Sequence, residues 1–125
     1  MIDHISIGVR NIAATKSFYD AALAPLGYTC LRARDAWLGY GKERVEFSAR
    51  ASERPVVADP KSGLHVSFIA PTQQSVESFY TAALANGGRD NGKPGLRKDY
   101  SPSYFAAYVV DPDGYRIEAH CNVDA

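Results

Sequence analysis

Two histidines and two glutamates of this 125-residue chain share a spacing that suits metal chemistry. His4 and His65 each open a stretch of alternating polarity, His4-Ile5-Ser6-Ile7 and His65-Val66-Ser67-Phe68. Glu46 and Glu118 lie in a second short match, Arg44-Val45-Glu46 and Arg116-Ile117-Glu118, at an offset of 72. Period-two alternation places each of the four on the polar phase of a strand. Two imidazoles with one or two carboxylates form the ligand set of Zn, Ni, Fe(II) or Mn sites that keep positions open for water or substrate. Closed structural sites more often use cysteines. Only Cys30 and Cys121 are present, and they form no Cys-x-x-Cys pair. The plainer alternative is a polar residue tolerated at a strand start and glutamates solvated on an outward face.

What weighs toward the metal reading is an internal repeat that holds both histidines in register. Residues 4–27 and 65–88 agree at 10 of 24 positions at a constant offset of 61. Average composition predicts roughly one or two matches by chance. With two copies spanning about half the chain each, the repeat predicts two similar modules in one compact domain. Module one covers residues 1–49, a linker 50–63, and module two 64–121.

Each module opens with an alternating strand, residues 2–9 and 64–70, followed by an amphipathic helix, about 12–24 and 73–86. Asn11 caps the first helix, Pro25 and Gly27 end it, and Asn86-Gly87-Gly88 ends the second. Module one continues with short strands at 28–32, 36–40 and 44–49. Module two continues with strands at 104–110 and 115–121 around the tight turn Asp111-Pro112-Asp113-Gly114. Residues 89–103, rich in Gly, Pro and charge, read as a long loop, and the tail 122–125 as frayed. The pattern predicts an α+β fold. Two βαβββ modules in a pseudo-twofold arrangement would form a curved mixed sheet with the helices on its outer face. Such a sheet would bring His4, Glu46, His65 and Glu118 together inside its curve.

Length predicts one domain able to bury its own core. Formal net charge is +0, so no long-range field recruits nucleic acid or an anionic membrane. No apolar run approaches the roughly 20 residues needed to span a bilayer. With no secretory leader visible, both thiols are expected to be reduced in a cytoplasmic protein.

Other polar-phase residues have two readings each. Tyr100 and Tyr104 close a pocket from the long loop or stand on the surface. Trp37 and Tyr40 are core or pocket wall. Arg97, Lys98 and Arg10 meet an anionic substrate or are solvated. His120 shares the strand face of Glu118 and is either an accessory group or an exposed residue near the terminus. Cys121 falls on the core phase.

The motifs resemble the vicinal oxygen chelate superfamily, which includes glyoxalase I, extradiol dioxygenases, fosfomycin-resistance enzymes and bleomycin-resistance proteins. The resemblance rests on Ile2-Asp3-His4-Ile5-Ser6-Ile7, Ser17-Phe18-Tyr19, Gly63-Leu64-His65-Val66 and Asp111-Pro112-Asp113-Gly114-Tyr115-Arg116-Ile117-Glu118. It covers essentially the whole chain, and the last segment is the most specific. Residues 87–97 and the tyrosines after them resemble a bacterial glyoxalase-like subgroup. The resemblance implies a divalent metal (Zn, Ni, Mn or Fe(II)) on His4, His65 and Glu118, with Glu46 as a fourth ligand of the glyoxalase I kind. Without Glu46, the set resembles the three-ligand sites of the dioxygenases and fosfomycin enzymes. It also implies a small-molecule substrate and a homodimer with sites at or near the subunit interface. The expected activity is that of a glyoxalase-type isomerase or lyase, with Glu118 or Glu46 as base and Trp37, Arg97, Tyr100 and Tyr104 against the substrate. The alternatives are an extradiol-type dioxygenase and a non-catalytic drug-binding protein.

Overall fold

The computed structural model describes residues 1–123. Eight strands and two helices follow in the order β1 (Ile5–Val9), α1 (Ile12–Leu23), β2 (Thr29–Arg34), β3 (Trp37–Gly41), β4 (Phe47–Ala51), β5 (His65–Ile69), α2 (Gln73–Ala85), β6 (Arg89–Leu96), β7 (Tyr104–Val110) and β8 (Arg116–Asn122). Each half is a βαβββ module, and each forms its own four-stranded mixed sheet, in the orders β1-β4-β3-β2 and β5-β8-β7-β6. The first strand of each module pairs in parallel with the fourth, and the remaining pairs are antiparallel.

Both helices begin where capping residues accept orphan amide protons. Asn11 accepts from Ala14 N at 2.9 Å. Thr72 and Ser75 form a reciprocal capping box. The buried faces of α1 (Phe18, Tyr19, Ala22, Leu23) and α2 (Val76, Phe79, Ala83) carry the helical apolar period, and the helices pack on one another. Beneath them lie the apolar phases of both sheets. Phe47 of one sheet meets Phe68 of the other edge-on, with ring centroids 5.1 Å apart, so the modules share one core.

Two tyrosines fasten the modules at positions related by the repeat. Tyr115 Oη donates to Gly8 O at 2.7 Å and Tyr28 Oη donates to Ile69 O at 2.9 Å. Gly8 and Ile69 are 61 residues apart, the repeat offset, so the pseudo-twofold relation extends to the junction. A third link is buried: Tyr19 Oη donates to Asp111 Oδ2 at 2.6 Å, and Asp111 Oδ1 accepts from Tyr115 N and Asp113 N. Burial pushes the Asp111 carboxyl up, against the lowering effect of these hydrogen bonds.

Three expectations need correction. Residues 89–96 are a strand, not part of a loop. As β6 it occupies the sheet edge, where Pro94 deprives no neighbouring strand of a donor and register shifts near Gly92 and Gly95 absorb the irregular sequence. The fourth strand of module one begins at Phe47, three residues later than alternation suggested. The chain turns tightly before it: Glu46 N donates to Tyr40 O at 2.9 Å, and a Cβ on Gly41 would stand 1.8 Å from Arg44 O. The tail is tied down as far as Val123, whose N donates to Ser103 O at 2.8 Å. The rest of that expected frayed tail, residues 124–125, lies outside the described residues.

Candidate functional site

The polar face of the second sheet gathers the densest set of functional side chains. Glu118 lies at the middle of β8, opposite Ser67 of β5 on one side and Tyr108 of β7 on the other. Its side chain is 3% exposed, and both oxygens are engaged. His65 Nε2 donates to Oε1 at 2.9 Å, and Tyr104 Oη donates to Oε2 at 2.6 Å. Burial, then the bond to Glu118, raises the Tyr104 phenol well above its ordinary range, so it remains a donor. The Tyr104 ring stacks on His120 with centroids 3.5 Å apart and planes 13° apart, while Tyr100 meets its edge at 5.1 Å. His120 Nδ1–H points to Phe105 O at 3.3 Å. His120 is therefore half-buried and packed, where proximity to the terminus suggested exposure.

Tyr108 was not singled out in the sequence, although it lies four residues beyond Tyr104 on the same strand phase. Its Oη is buried without a hydrogen-bond partner. Burial and then the charge of Glu118 push its phenol up to about 12. The Arg97 guanidinium lies over its ring, 5.2 Å from the centroid.

The polar face of the first sheet is sparser. His4 precedes β1 and shares a shallow recess with Ser6, Trp37, Val45, Ser48 and Arg50. Its Nδ1–H donates to Asp3 at 2.8 Å. Trp37 is pocket wall here, with Arg50 over its ring at 5.9 Å. The pairing register identifies the true counterpart of Glu118. Ser67 faces Glu118 across β5–β8, and Ser6, its repeat mate, faces Ser48 across β1–β4. Ser48, not Glu46, holds the equivalent place, and its hydroxyl meets that of Ser6 at 2.6 Å. Glu46 turns instead toward a cleft of about 220 Å³ between the modules, with Asp3, Tyr28, Phe47 and Phe68. The four residues expected inside one curve are thus divided among three places. His65 and Glu118 are together, His4 is on the other sheet, and Glu46 is in the cleft.

The remaining expected contacts also divide. Tyr40 is core, its Oη donating to Asp20 at 2.8 Å, and Arg10 pairs with Asp113 at 3.3 Å. Cys121 is buried and Cys30 half-buried, both as free thiols.

A family model described as "Glyoxalase/Bleomycin resistance protein/Dioxygenase superfamily" matches residues 1–119. The chain belongs to this superfamily. No curated protein matches it by sequence. Among solved structures, it resembles a glyoxalase/bleomycin resistance protein from Albidiferax ferrireducens T118, with 29% identity and a TM-score of 0.83 over 94% of this chain and 95% of that one. A glyoxalase-related enzyme from Fulvimarina pelagi shares the fold at 16% identity and TM-score 0.75, over 98% of this chain and 88% of that one. A glyoxalase/bleomycin resistance protein/dioxygenase family enzyme from Burkholderia phytofirmans PsJN shares it at 15% identity and TM-score 0.73, over 98% of each chain. The two four-stranded βαβββ modules agree with the architecture expected from the repeat.

Whether the side chains of this superfamily member suit a divalent metal depends on its donors. His65 and Glu118 offer an imidazole nitrogen and a carboxylate oxygen side by side. Tyr104 holds the other oxygen in the manner of groups that orient ligating carboxylates. Two donors fall short of the three that open catalytic sites use. Among the described residues of one chain, no group of three or more His, Cys, Asp or Glu is close enough to hold an ion. The donor set fits half a site. No helix among the described residues is long and apolar enough to cross a membrane.

Proposed function

We propose that this protein is a metal-dependent enzyme acting on a small molecule with two neighbouring oxygens, a glyoxalase-type isomerase or lyase, working as a homodimer. The observation that carries this reading is the buried Glu118 carboxylate, held between His65 and Tyr104 beside the Tyr104–His120 stack. His65 and Glu118 of one copy and His4 of a second are the ligands. Each copy presents one part of the set on each of its two sheets, so twofold pairing completes two equivalent sites. Exposed Ile5 and Leu64, next to His4 and His65 in sequence, and Ile69 at the end of β5 supply apolar surface for such a contact. Bound there, a divalent ion supplies Lewis acidity toward a pair of substrate oxygens. The chain's own contribution is positional. Tyr104 keeps Glu118 in one orientation, and the Tyr104–His120 stack with Tyr100 at its edge walls the site. Trp37 walls it from the other subunit. In this reading the base is Glu118, on release of one of its oxygens, and not Glu46, which lines a different cleft.

A second reading, a dioxygenase, is favoured by one observation. Ser48 occupies the place where a fourth carboxylate ligand would stand, which leaves a set of two histidines and one carboxylate with several open positions. Elemental analysis of protein purified without an affinity tag, combined with an oxygen electrode, tests both. Stoichiometric Ni or Zn without oxygen uptake supports the isomerase or lyase. Fe or Mn with oxygen uptake on catechol-like substrates supports the dioxygenase. Protein that takes up no ion, even after incubation with each, contradicts both and leaves a non-catalytic binding protein.

A further inference from the structure

The placement of Arg97 says what else the ligand of this face carries. Arg97 follows β6 and is half-buried, with Nη2 donating to Lys93 O. Its guanidinium lies over the Tyr108 ring, and no carboxylate pairs with it among the described residues. The irregular part of β6 makes room for this arrangement. Gly92, opposite Tyr108, has φ +150, and a Cβ there would stand 2.8 Å from Tyr108 Cδ2 and 3.4 Å from Arg97 Nη2. The positive charge is therefore held in a backbone cradle on the polar face of the sheet. The residue beneath it, Tyr108, is the direct cross-strand partner of Glu118. Directly opposed residues stand about 5 Å apart, roughly the width of one small ring. The Tyr108 hydroxyl is buried and without a hydrogen-bond partner. A buried donor left unpaired is costly, and a ligand oxygen would satisfy it.

We propose that the ligand of this site is a small carboxylic acid. Its carboxylate lies against Arg97, and its two neighbouring oxygens, at the other end of the molecule, face His65 and Glu118, with the Tyr108 hydroxyl donating to the acid. A planar guanidinium is the group best matched to a carboxylate, by two parallel N–H bonds. This assignment rests on the reading above that the His65–Glu118 face is the ligand site. It does not depend on the metal, since Arg97 and Tyr108 are side chains of the fold.

The test compares catechol with protocatechuate, the same diol carrying a carboxylate one ring away. Binding of each to the 125-residue chain is followed by calorimetry and ligand-observed NMR, in metal-free and metal-loaded samples of measured metal content. The expected result is protocatechuate binding about ten-fold more tightly or better, the effect of one charge-assisted contact. Arg97→Gln should bring the two probes to equal affinity, while Arg97→Lys, which keeps the charge, should retain part of the preference. Equal affinity in the wild type, binding of neither probe, or a preference that survives in Arg97→Gln would overturn the proposal. The comparison in the wild type stands even if a variant fails to fold. A preference in protein that takes up no metal supports this assignment and contradicts the metal-dependent enzyme. Metal uptake without a preference does the reverse.

Discussion

Glu118 is a carboxylate removed from water and kept useful by its partners. Tyr104 is the partner that lies outside the proposed ligand set, so its removal isolates the positioning effect. Tyr104→Phe should cost about 1.5–3 kcal/mol of stability, the range for hydrogen bonds to charged groups. It should also weaken metal binding by about 10–100-fold, as loss of a group orienting a ligand does. Urea unfolding and metal titration read the two separately. Unchanged metal affinity in a stably folded Tyr104→Phe protein would contradict the role assigned to that hydroxyl. Asp111 gives a prediction with a definite sign. Its folded-state pKa lies above the ordinary 3.8, so the native state holds the proton more tightly than the unfolded chain. The stability this adds is full below about 3.8 and is lost as pH rises through the raised value. Wild type should therefore gain on Asp111→Asn as pH falls from neutrality, and unfolding midpoints of both across pH would show it. A difference independent of pH would contradict the assignment.

The elements were readable from sequence wherever alternation or a cap was intact. Both helices, the Asn11 cap and seven of the eight strands follow from the repeat, alternation and punctuation, with β4 expected three residues early. β6 was hidden because Gly92, Pro94 and Gly95 erase the alternation, and an edge position is what lets a strand tolerate them. The Glu46–Glu118 match misled for a related reason. Register between β1 and β4 is set by the tight turn after Gly41, which moves the counterpart of Glu118 two residues on, to Ser48. No local signal distinguishes those two registers in the sequence. Gly41→Ala should cost about 1–3 kcal/mol or more, the range for forcing volume into a packed place. Thr72→Ala, which removes half of the capping box, should cost about 1 kcal/mol. Chemical denaturation measures both. An undisturbed Gly41→Ala protein would mean that the turn is looser than the 1.8 Å approach of that Cβ to Arg44 O requires.

The fold was more readable than its site. Both histidines and Glu118 stood out through the repeat and the family motifs. Their division between two sheets did not, because it depends on which faces of the modules pack together. Here the helix-covered faces share the core, through Phe47 and Phe68, and each polar face is left to meet something else. Tyr108 and the fold of Arg97 over it were missed because a bulged strand sets them, not a motif. The proposed metal site forms from His65 and Glu118 of one copy with His4 of another. Mixing two inactive variants tests it most directly. His4→Ala and His65→Ala homodimers should each retain no stoichiometric metal, since every site in them lacks a histidine. Unfolding and refolding the two together should restore about one quarter of the wild-type metal content, the statistical yield of mixed dimers with one intact site each. Full metal retention in either variant alone, or no recovery in mixtures shown to contain mixed dimers, would contradict a site shared between copies.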